Sequence, residues 1–400
     1  MTRHGGHAKS MPPALDGIRV LDAGQLLAGP FAATLLGDYG ADVIKVERPG
    51  VGDPARAAVG RGWLTEGRNK RLVTLNLQSD AGREVFLDLV KVADVVIENF
   101  RPEKFAKMGL SDDVMLDANP SLVIAHASGY GQIGPRAQEG AFDRAAIAYS
   151  GVGAVTGFAD SPPVKVGVDM ADYLTGWHMA LQIMIALHYR DRTGRGQVID
   201  TALFEAPFRM TREMITDYSI TGAIPPRMGN QHQAVAPGDA YLTLDAQWIA
   251  ISCGNDAAWR AIARAIGRPE LQADDDYVTN AARVRHREHV NALVADWVAS
   301  RHLSDVVTVM EREGVAFAKY NSMADIARDK QFRAIGAIME HDHEEHGLIL
   351  LPGVVGRLSE TPGSVRWLGR SLGADNDEVY GSLLGLDEQR LRALRETNVI

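Results

Sequence analysis

The chain has 400 residues, enough for about two or three domains of average size, and 46% of them are apolar, so it can bury a large core. Its formal net charge of -9 argues against a general nucleic-acid-binding protein, which would carry a basic field. A single cysteine, Cys253, excludes an intrachain disulfide framework and a cysteine-based zinc site. It also indicates a reducing compartment, so we expect a cytoplasmic location.

No segment of the sequence predicts a membrane partner. The first 14 residues carry basic side chains but no apolar run, so we expect a loose tail rather than a signal peptide. The longest apolar stretch, residues 173–188, contains His178 and Gln182 and is shorter than the roughly 20 residues that span a bilayer. We therefore interpret this stretch as a core helix.

The N-terminal half alternates short β-branched runs with segments of helical spacing. Helices are predicted over 31–39, closed by Gly40, from Ser79 to about Val92, and from Asp172 to Tyr189. The strands that separate them are predicted at 18–22, 41–47, 72–77, 94–98, 121–127 and 197–203. Strands that alternate with helices of this length indicate an α/β fold with a parallel sheet covered on both faces, as in Rossmann-like architectures.

The sequence changes in character after a segment at 221–226 that we interpret as a linker. Residues 240–253 predict antiparallel strands, and helices of modest length follow to about Gly314. We infer a second, smaller domain here. From about Gln331 the sequence predicts turns, short strands and a helix near 387–396.

Two motifs suggest sites that their context does not support. Gly151, Gly153 and Gly157 are spaced almost like a dinucleotide fingerprint, but the preceding segment reads as a helix rather than a strand. Residues 341–346 alternate histidines with acidic residues, yet neighbouring side chains rarely all point one way. We predict a solvated polar loop there and no metal site.

Four segments, taken in order and spacing, resemble the family III CoA-transferases, a group that includes formyl-CoA transferases and, as a divergent branch, α-methylacyl-CoA racemases. The resemblance covers residues 15–210 well and the rest loosely. Its segments are 15–22 with Ala28-Gly29-Pro30 and 40–50; Asn69-Lys70-Arg71 with Leu75; 93–102 with Lys107-Met108-Gly109; and 172–176 followed by 188–197.

The resemblance implies an architecture and a set of partners. It implies a large Rossmann-like domain over 15–220 and 331–400, a smaller inserted α+β domain over 227–325, and a homodimer of interlocked, ring-like chains. It also implies an acyl-CoA and a carboxylic acid as substrates, with no tightly bound cofactor. Residues 1–14 would remain a tail.

The resemblance also places residues around CoA, whose phosphates need cations and N–H donors at the carboxyl ends of strands. Arg48 and Lys107 would face phosphates, and Leu75, Phe100 and Met108 would pack against adenine or pantetheine. Taken singly, these residues would be read as surface charge or as core. The remaining residues placed at the site are Leu27, Asn99, Phe142 and Asp143.

Asp172 is the predicted nucleophile. It opens an apolar helix, where the helix dipole favours an anion, although an ordinary N-cap would look the same. By the resemblance its carboxylate attacks an acyl-CoA thioester to form a mixed anhydride and then an aspartyl-CoA thioester. Asp169 is a rival for this role, but the spacing from Asp172 to Gly176 favours Asp172.

Some positions depart from patterns within the family. Phe142 stands where the racemase branch has a histidine base, which argues against a two-base racemase. Leu27 stands where formyl-CoA transferase has a glutamine, and Gly229-Asn230-Gln231 is followed by His232 instead of a glycine-rich loop. The presence of Leu27 in place of that glutamine hints at a larger or more apolar acyl group than oxalate or formate.

The expected function is therefore CoA transfer from an acyl-CoA to a carboxylic acid. An acyl-CoA racemase or isomerase is the alternative within the superfamily. From other classes, the alternatives are a nicotinamide-dependent oxidoreductase and a noncatalytic CoA-binding protein.

Overall fold

The computed structural model describes residues 12–58 and 60–400, so most of the predicted tail lies outside the described residues. These form two compact units. The first comprises the described residues up to Gly153, Val166–Thr216 and Gln331–Ile400, and the second comprises Ala154–Lys165 and Asp217–Lys330.

Residues 154–165 belong to the second unit, whereas the domain bounds from the sequence assign them to the large domain. Their backbone explains the difference. The N–H of Gly229 donates to the carbonyl of Gly157 (2.8 Å), and the Arg227 guanidinium donates to the carbonyls of Phe158 (3.1 Å) and Ser161 (2.9 Å). These contacts join the segment to the start of the second unit.

Six parallel strands form the sheet of the first unit, which confirms the predicted α/β fold. They are β1 (Arg19–Asp22), β2 (Asp42–Glu47), β3 (Lys70–Thr74), β4 (Val95–Glu98), β5 (Val123–Ser128) and β6 (Gln197–Ala202). Their order is β3–β2–β1–β4–β5–β6, so the strand order reverses between β1 and β4. Open α/β sheets bind their ligands outside the carboxyl edge at such a reversal.

The described helices follow in chain order. They are α1 (Ala28–Asp38), α2 (Ala55–Ala58), α3 (Trp63–Glu66), α4 (Asp80–Lys91), α5 (Lys104–Lys107), α6 (Asp112–Ala118), α7 (Asp143–Tyr149), α8 (Val152–Val155), α9 (Met170–Thr193), α10 (Glu205–Arg209), α11 (Met214–Thr221), α12 (Asp256–Ala265), α13 (Asn280–Arg285), α14 (Arg287–Ala299), α15 (Leu303–Glu313), α16 (Met323–Arg328), α17 (Lys330–Ala334) and α18 (Glu388–Glu396). Short 3-10 turns lie at Gly60–Gly62 and Pro269–Gln272, and a π-helical segment at Asp377–Leu383. None of the helices in the described part of the chain is long and apolar enough to cross a membrane.

Each face of the six-stranded sheet has its own apolar core. Leu21 of β1 packs on the side of α4 and α18, whereas its neighbour Val20 packs on the side of α1 and α9. The alternation follows from the period of two along a strand, and it explains why the strands read as continuous apolar runs. Ser79 caps α4 as predicted, because its Oγ accepts the N–H of Gly82 (3.0 Å).

The edge strand β3 is covered by residues far along the chain. The backbone N–H of Leu72 donates to Asp375 (2.7 Å), and the hydroxyl of buried Tyr380 donates to the carbonyl of Thr74 (2.8 Å). An unpaired strand edge is a site of unwanted pairing, so this cover protects the sheet.

The second unit contains the predicted antiparallel sheet, built from β7 (Gly238–Leu242), β8 (Trp248–Ser252) and β9 (Phe317–Lys319). Its core is centred on Trp259 and Ile262 of α12 and includes buried Cys253. The last two strands, β10 (Ile338–His343) and β11 (Gly347–Pro352), form a hairpin in the first unit that carries the histidine-rich motif. Among the residues described, no three histidine, cysteine or acidic side chains are grouped to hold a metal.

Candidate active site

Asp172 lies in the first turn of α9 but does not open it. The helix begins at Met170, and Asp169 holds the N-cap position. The sequence expectation that Asp172 starts the helix is therefore corrected by two residues, because Met170 and Ala171 already adopt helical geometry. The carboxylate remains within the turn where the helix dipole favours an anion.

Gly176 lets α9 approach α1 closely. A Cβ at this position would lie 2.8 Å from the carbonyl oxygen of Ala28 and 2.7 Å from the ring of Phe31. Any larger residue would push the two helices apart. The spacing from Asp172 to Gly176 thus has a physical reason, since Gly176 brings the turn that carries Asp172 against the start of α1.

A cavity of about 420 Å³ opens in front of Asp172 at the carboxyl edge of the sheet. Four of the predicted site residues line it together with Asp172, namely Leu27, Asn99, Phe100 and Phe142. Its other walls come from the turns that follow β1, β4 and β5 and from the loop before α7, and they include Gln25, Arg101, Lys104, Ser128 and Glu139. The sheet therefore places the predicted nucleophile where its fold class binds ligands.

A second cavity, of about 160 Å³, shares the walls formed by Gln25, Phe100 and Lys104 with the first. It contains three further predicted residues, Arg48, Leu75 and Met108. Between them, the two cavities are lined by eight of the predicted site residues, all in the first unit.

Lys107 and Asp143 do not line either cavity. The side chain of Lys107 is 72% exposed and pairs with Glu103 (3.0 Å). Lys104, one helical turn earlier, lines both cavities and holds its ammonium 4.5 Å from the centre of the Phe100 ring. Sequence reasoning missed Lys104, although its spacing of three residues from Lys107 places both on one side of α5.

Asp143 does not line the cavity, but it contacts the helical turn that carries Asp172. Its buried carboxylate accepts the backbone N–H of Ala171 (2.6 Å), while its Oδ2 has no hydrogen-bond partner within the described part of the chain. Burial, reinforced by the charges of Asp143 and Asp169, raises the pKa of Asp172 to about 7. A carboxyl group with such a pKa is a stronger nucleophile than an ordinary aspartate and is still half ionised near neutrality.

The turn between β1 and α1 is fixed by buried polar groups. Leu26 adopts a φ of 60°, a left-handed conformation that is costly for a branched side chain. Its N–H donates to Asp53 (2.9 Å), and the amide of Asn99 both accepts the N–H of Gln25 (2.7 Å) and donates to its carbonyl (2.6 Å). Asn99 therefore shapes the cavity through the backbone of the turn.

Behind this turn lie four fully buried charges. Lys45 pairs with Asp53 (2.7 Å) and also donates to the carbonyl of Gly24, and Lys70 pairs with Asp22 (2.9 Å). Two cations and two anions leave the group neutral, which is what allows it to remain buried.

A second buried polar group supports the loop that carries Phe100. Glu98, at the end of β4, accepts the N–H of Phe100 (2.7 Å) and a hydrogen bond from Nδ1 of His126. The Nε2 of His126 donates to Asp112 (3.0 Å). Burial alone would lower the pKa of His126, but its hydrogen bonds to Asp112 and Glu98 raise the pKa to about 10.

Replacing His126 by glutamine is expected to destabilise the protein by about 3 kcal/mol at pH 7, because buried Glu98 would lose its cationic partner. The stabilisation by His126 is complete below its ordinary pKa of 6.5 and is lost as the pH rises through about 10. The difference between variant and wild type in urea unfolding should therefore shrink between pH 7 and pH 10.5. The exposed His346→Gln variant is the control, and an equal loss at both pH values would contradict the assignment.

Comparisons with known proteins show which family the chain is similar to. A family model described as CoA-transferase family III matches residues 15–376. The beta subunit of succinyl-CoA–L-malate CoA-transferase from Chloroflexus aurantiacus is 40% identical over 396 residues, which is 96% of this chain and 98% of that protein. Succinyl-CoA:glutarate CoA-transferase of Mus musculus is 32% identical and covers 98% of this chain and 91% of its own.

Among solved structures, the fold is similar to a CAIB/BAIF family protein from Brucella suis. The two match with a TM-score of 0.83 and 32% sequence identity, over 93% of this chain and all of the other.

Proposed function

Because the chain belongs to CoA-transferase family III, whose members move CoA between an acyl-CoA and a carboxylic acid, we propose that it does so through covalent intermediates on Asp172. One observation carries this proposal. The carboxyl of Asp172 faces a cavity large enough for an acyl group, and that cavity shares a wall with a second one whose lining includes Arg48, Lys104 and apolar side chains.

The proposed reaction has four steps. The carboxylate of Asp172 attacks the thioester carbonyl of the donor, and CoA thiolate leaves as a mixed anhydride forms. The thiolate then attacks the aspartyl carbonyl, which gives an aspartyl-CoA thioester and releases the donor acid. The carboxylate of the second acid attacks this thioester and expels the thiolate, which finally attacks the new acyl carbonyl and regenerates Asp172.

The two cavities suggest how CoA lies. We place the nucleotide end in the second cavity, where Arg48 and Lys104 supply positive charge and Leu75 and Met108 supply apolar surface. The pantetheine arm then passes Phe100 towards Asp172. CoA enters as a substrate in this proposal, and no resident cofactor takes part.

The start of α1 supplies donors for the oxyanions of these steps. Leu27 and Ala28 line the cavity with Asp172, and the first N–H groups of any helix lack an acceptor within the helix. Preorganised backbone donors of this kind stabilise the tetrahedral intermediates of acyl transfer. This role also gives a reason for the left-handed turn at Leu26.

The names of the relatives indicate the substrate class. They pair succinyl-CoA with L-malate, D-citramalate or glutarate, all of which are dicarboxylic acids. We therefore propose succinyl-CoA as the donor and a dicarboxylic acid as the acceptor. Leu27 alone had suggested a more apolar acyl group, but one side chain carries less weight than relatives that match nearly the whole chain.

We also propose that the enzyme is a homodimer in the cytoplasm. Four large apolar side chains follow one another at every fourth position along α9, and each is about half exposed: Trp177, Leu181, Ile185 and Tyr189. An apolar stripe of this kind is typical of a surface that a partner covers.

Chemical trapping tests the mechanism. When the enzyme turns over succinyl-CoA in the presence of hydroxylamine, Asp172 should become a hydroxamate, and borohydride should reduce its thioester to an alcohol. Peptide mass spectrometry locates either product, and a reaction without acyl-CoA is the control. Turnover with an unmodified Asp172, or modification of Asp169 instead, would exclude the proposed nucleophile.

A further inference from the structure

Arg101 is a cation in the Asp172 cavity that forms no ion pair within the described part of the chain. It follows β4 in the segment that lines the cavity wall, and none of the described carboxylates lies within ion-pair distance of its guanidinium. Its neighbours differ. Lys107 pairs with Glu103, and Arg136 pairs with Glu139 (2.6 Å), the other acidic residue that lines the cavity with Asp172.

The guanidinium of Arg101 lies against Gly140 in the opposite loop. A Cβ at Gly140 would lie only 2.5 Å from Nη2 of Arg101, so any side chain at residue 140 would have to displace the guanidinium. Gly140 lines the same cavity. The absence of a side chain there therefore leaves room for Arg101 beside the site of reaction.

The position of Arg101 separates it from the proposed nucleotide site. It lines the Asp172 cavity and a neighbouring one of about 300 Å³, but it does not line the cavity that contains Arg48. Lys104, by contrast, lines both of the cavities that we assign to CoA. Arg101 is therefore a cation at the acyl end of the site.

We propose that Arg101 binds the free carboxylate of a dicarboxylate acyl group whose other carboxyl is joined to CoA. This inference rests on the proposed function and names a specificity-determining residue for it. A planar guanidinium can hold a carboxylate through two parallel hydrogen bonds, which gives orientation as well as attraction. The same contact offsets the repulsion between that carboxylate and Asp172.

Comparing two thioesters of equal chain length tests this role. Succinyl-CoA carries the distal carboxylate, and butyryl-CoA ends in a methyl group. In Arg101→Met, kcat/KM for succinyl-CoA should fall about 10- to 100-fold, while the value for butyryl-CoA should stay within about twofold. In Arg101→Lys, kcat/KM for succinyl-CoA should lie between the values of the wild type and Arg101→Met, because lysine keeps the charge but cannot form the two parallel hydrogen bonds. Arg392→Met, an exposed arginine of α18, should leave the ratio of the two unchanged.

Equal losses for both thioesters would show that Arg101 contacts CoA itself and would overturn the inference. Calorimetric binding of both thioesters in an Asp172→Asn background provides a readout that does not require turnover. In that background, Arg101→Met should weaken the binding of succinyl-CoA but not the binding of butyryl-CoA. Selective weakening of succinyl-CoA binding supports the role of Arg101 even if trapping excludes Asp172, so the two proposals fail separately.

Discussion

Replacing Asp172 by asparagine is expected to reduce CoA transfer on the order of 10⁴-fold or more, because an amide cannot form the acyl intermediates. The assay is exchange of CoA between succinyl-CoA and a dicarboxylic acid. Asp169→Asn is the matched control, since Asp169 is the rival carboxylate at the start of the same helix. If the Asp169 variant were inactive and the Asp172 variant retained more than a hundredth of the activity, the assignment would be reversed.

The same substitution is expected to stabilise the fold. The pKa of Asp172 is about 7 in the folded protein and near 3.8 when exposed, so the folded state loses stability as the pH rises from about 3.8 through 7. Asparagine carries no charge to desolvate. After allowance for solvent screening we expect a gain on the order of 2 kcal/mol in the free energy of unfolding at pH 8 and a smaller gain at pH 5.

CoA transfer is expected to rise about tenfold per pH unit below pH 7 and to level off above it, because only ionised Asp172 is nucleophilic. Asp143→Asn should move this rising limb of the pH profile to lower pH, since the charge of Asp143 helps to raise the pKa of Asp172. The asparagine oxygen can still accept the N–H of Ala171, which preserves the helix start.

The profile of kcat/KM against pH for three enzymes measures this shift: wild type, Asp143→Asn and Asp191→Asn. Asp191 lies at the far end of α9 and should leave the limb unmoved. A limb that moves to higher pH in Asp143→Asn would mean that Asp143 stabilises the ionised form of Asp172, contrary to the structure.

Much of the sheet could be predicted from sequence because its strands and helices alternate with clear punctuation. The strands near Arg19 and Asp42 are apolar runs that end at turns, and Ser79 caps α4 where an N-cap residue was expected. The spacing of apolar residues did not identify the residue at which α9 begins. Asp169 and Asp172 are both suited to a helix start, and local sequence does not distinguish them.

The candidate site was only partly predictable, because its geometry depends on residues distant in sequence. Lys107 matches the family pattern but is neutralised by Glu103, while Lys104 reaches both cavities. Lys45 and Lys70 lie within predicted strands, and the sequence does not show that they are buried against Asp22 and Asp53. Lys70 and Asp22 are 48 positions apart, and partners so distant cannot be inferred from composition or period.

The cover of β3 by Asp375 and Tyr380 has a consequence for how the protein is made. Leu72 and Thr74 bond to residues about 300 positions later, whereas residues 217–330 of the second unit are contiguous. On the ribosome, the strands of the first unit emerge early and must wait for their last partners, and contacts of such long range form slowly. The edge of β3 therefore lacks this cover throughout most of synthesis, and an uncovered strand edge is where newly made chains would pair with one another and aggregate.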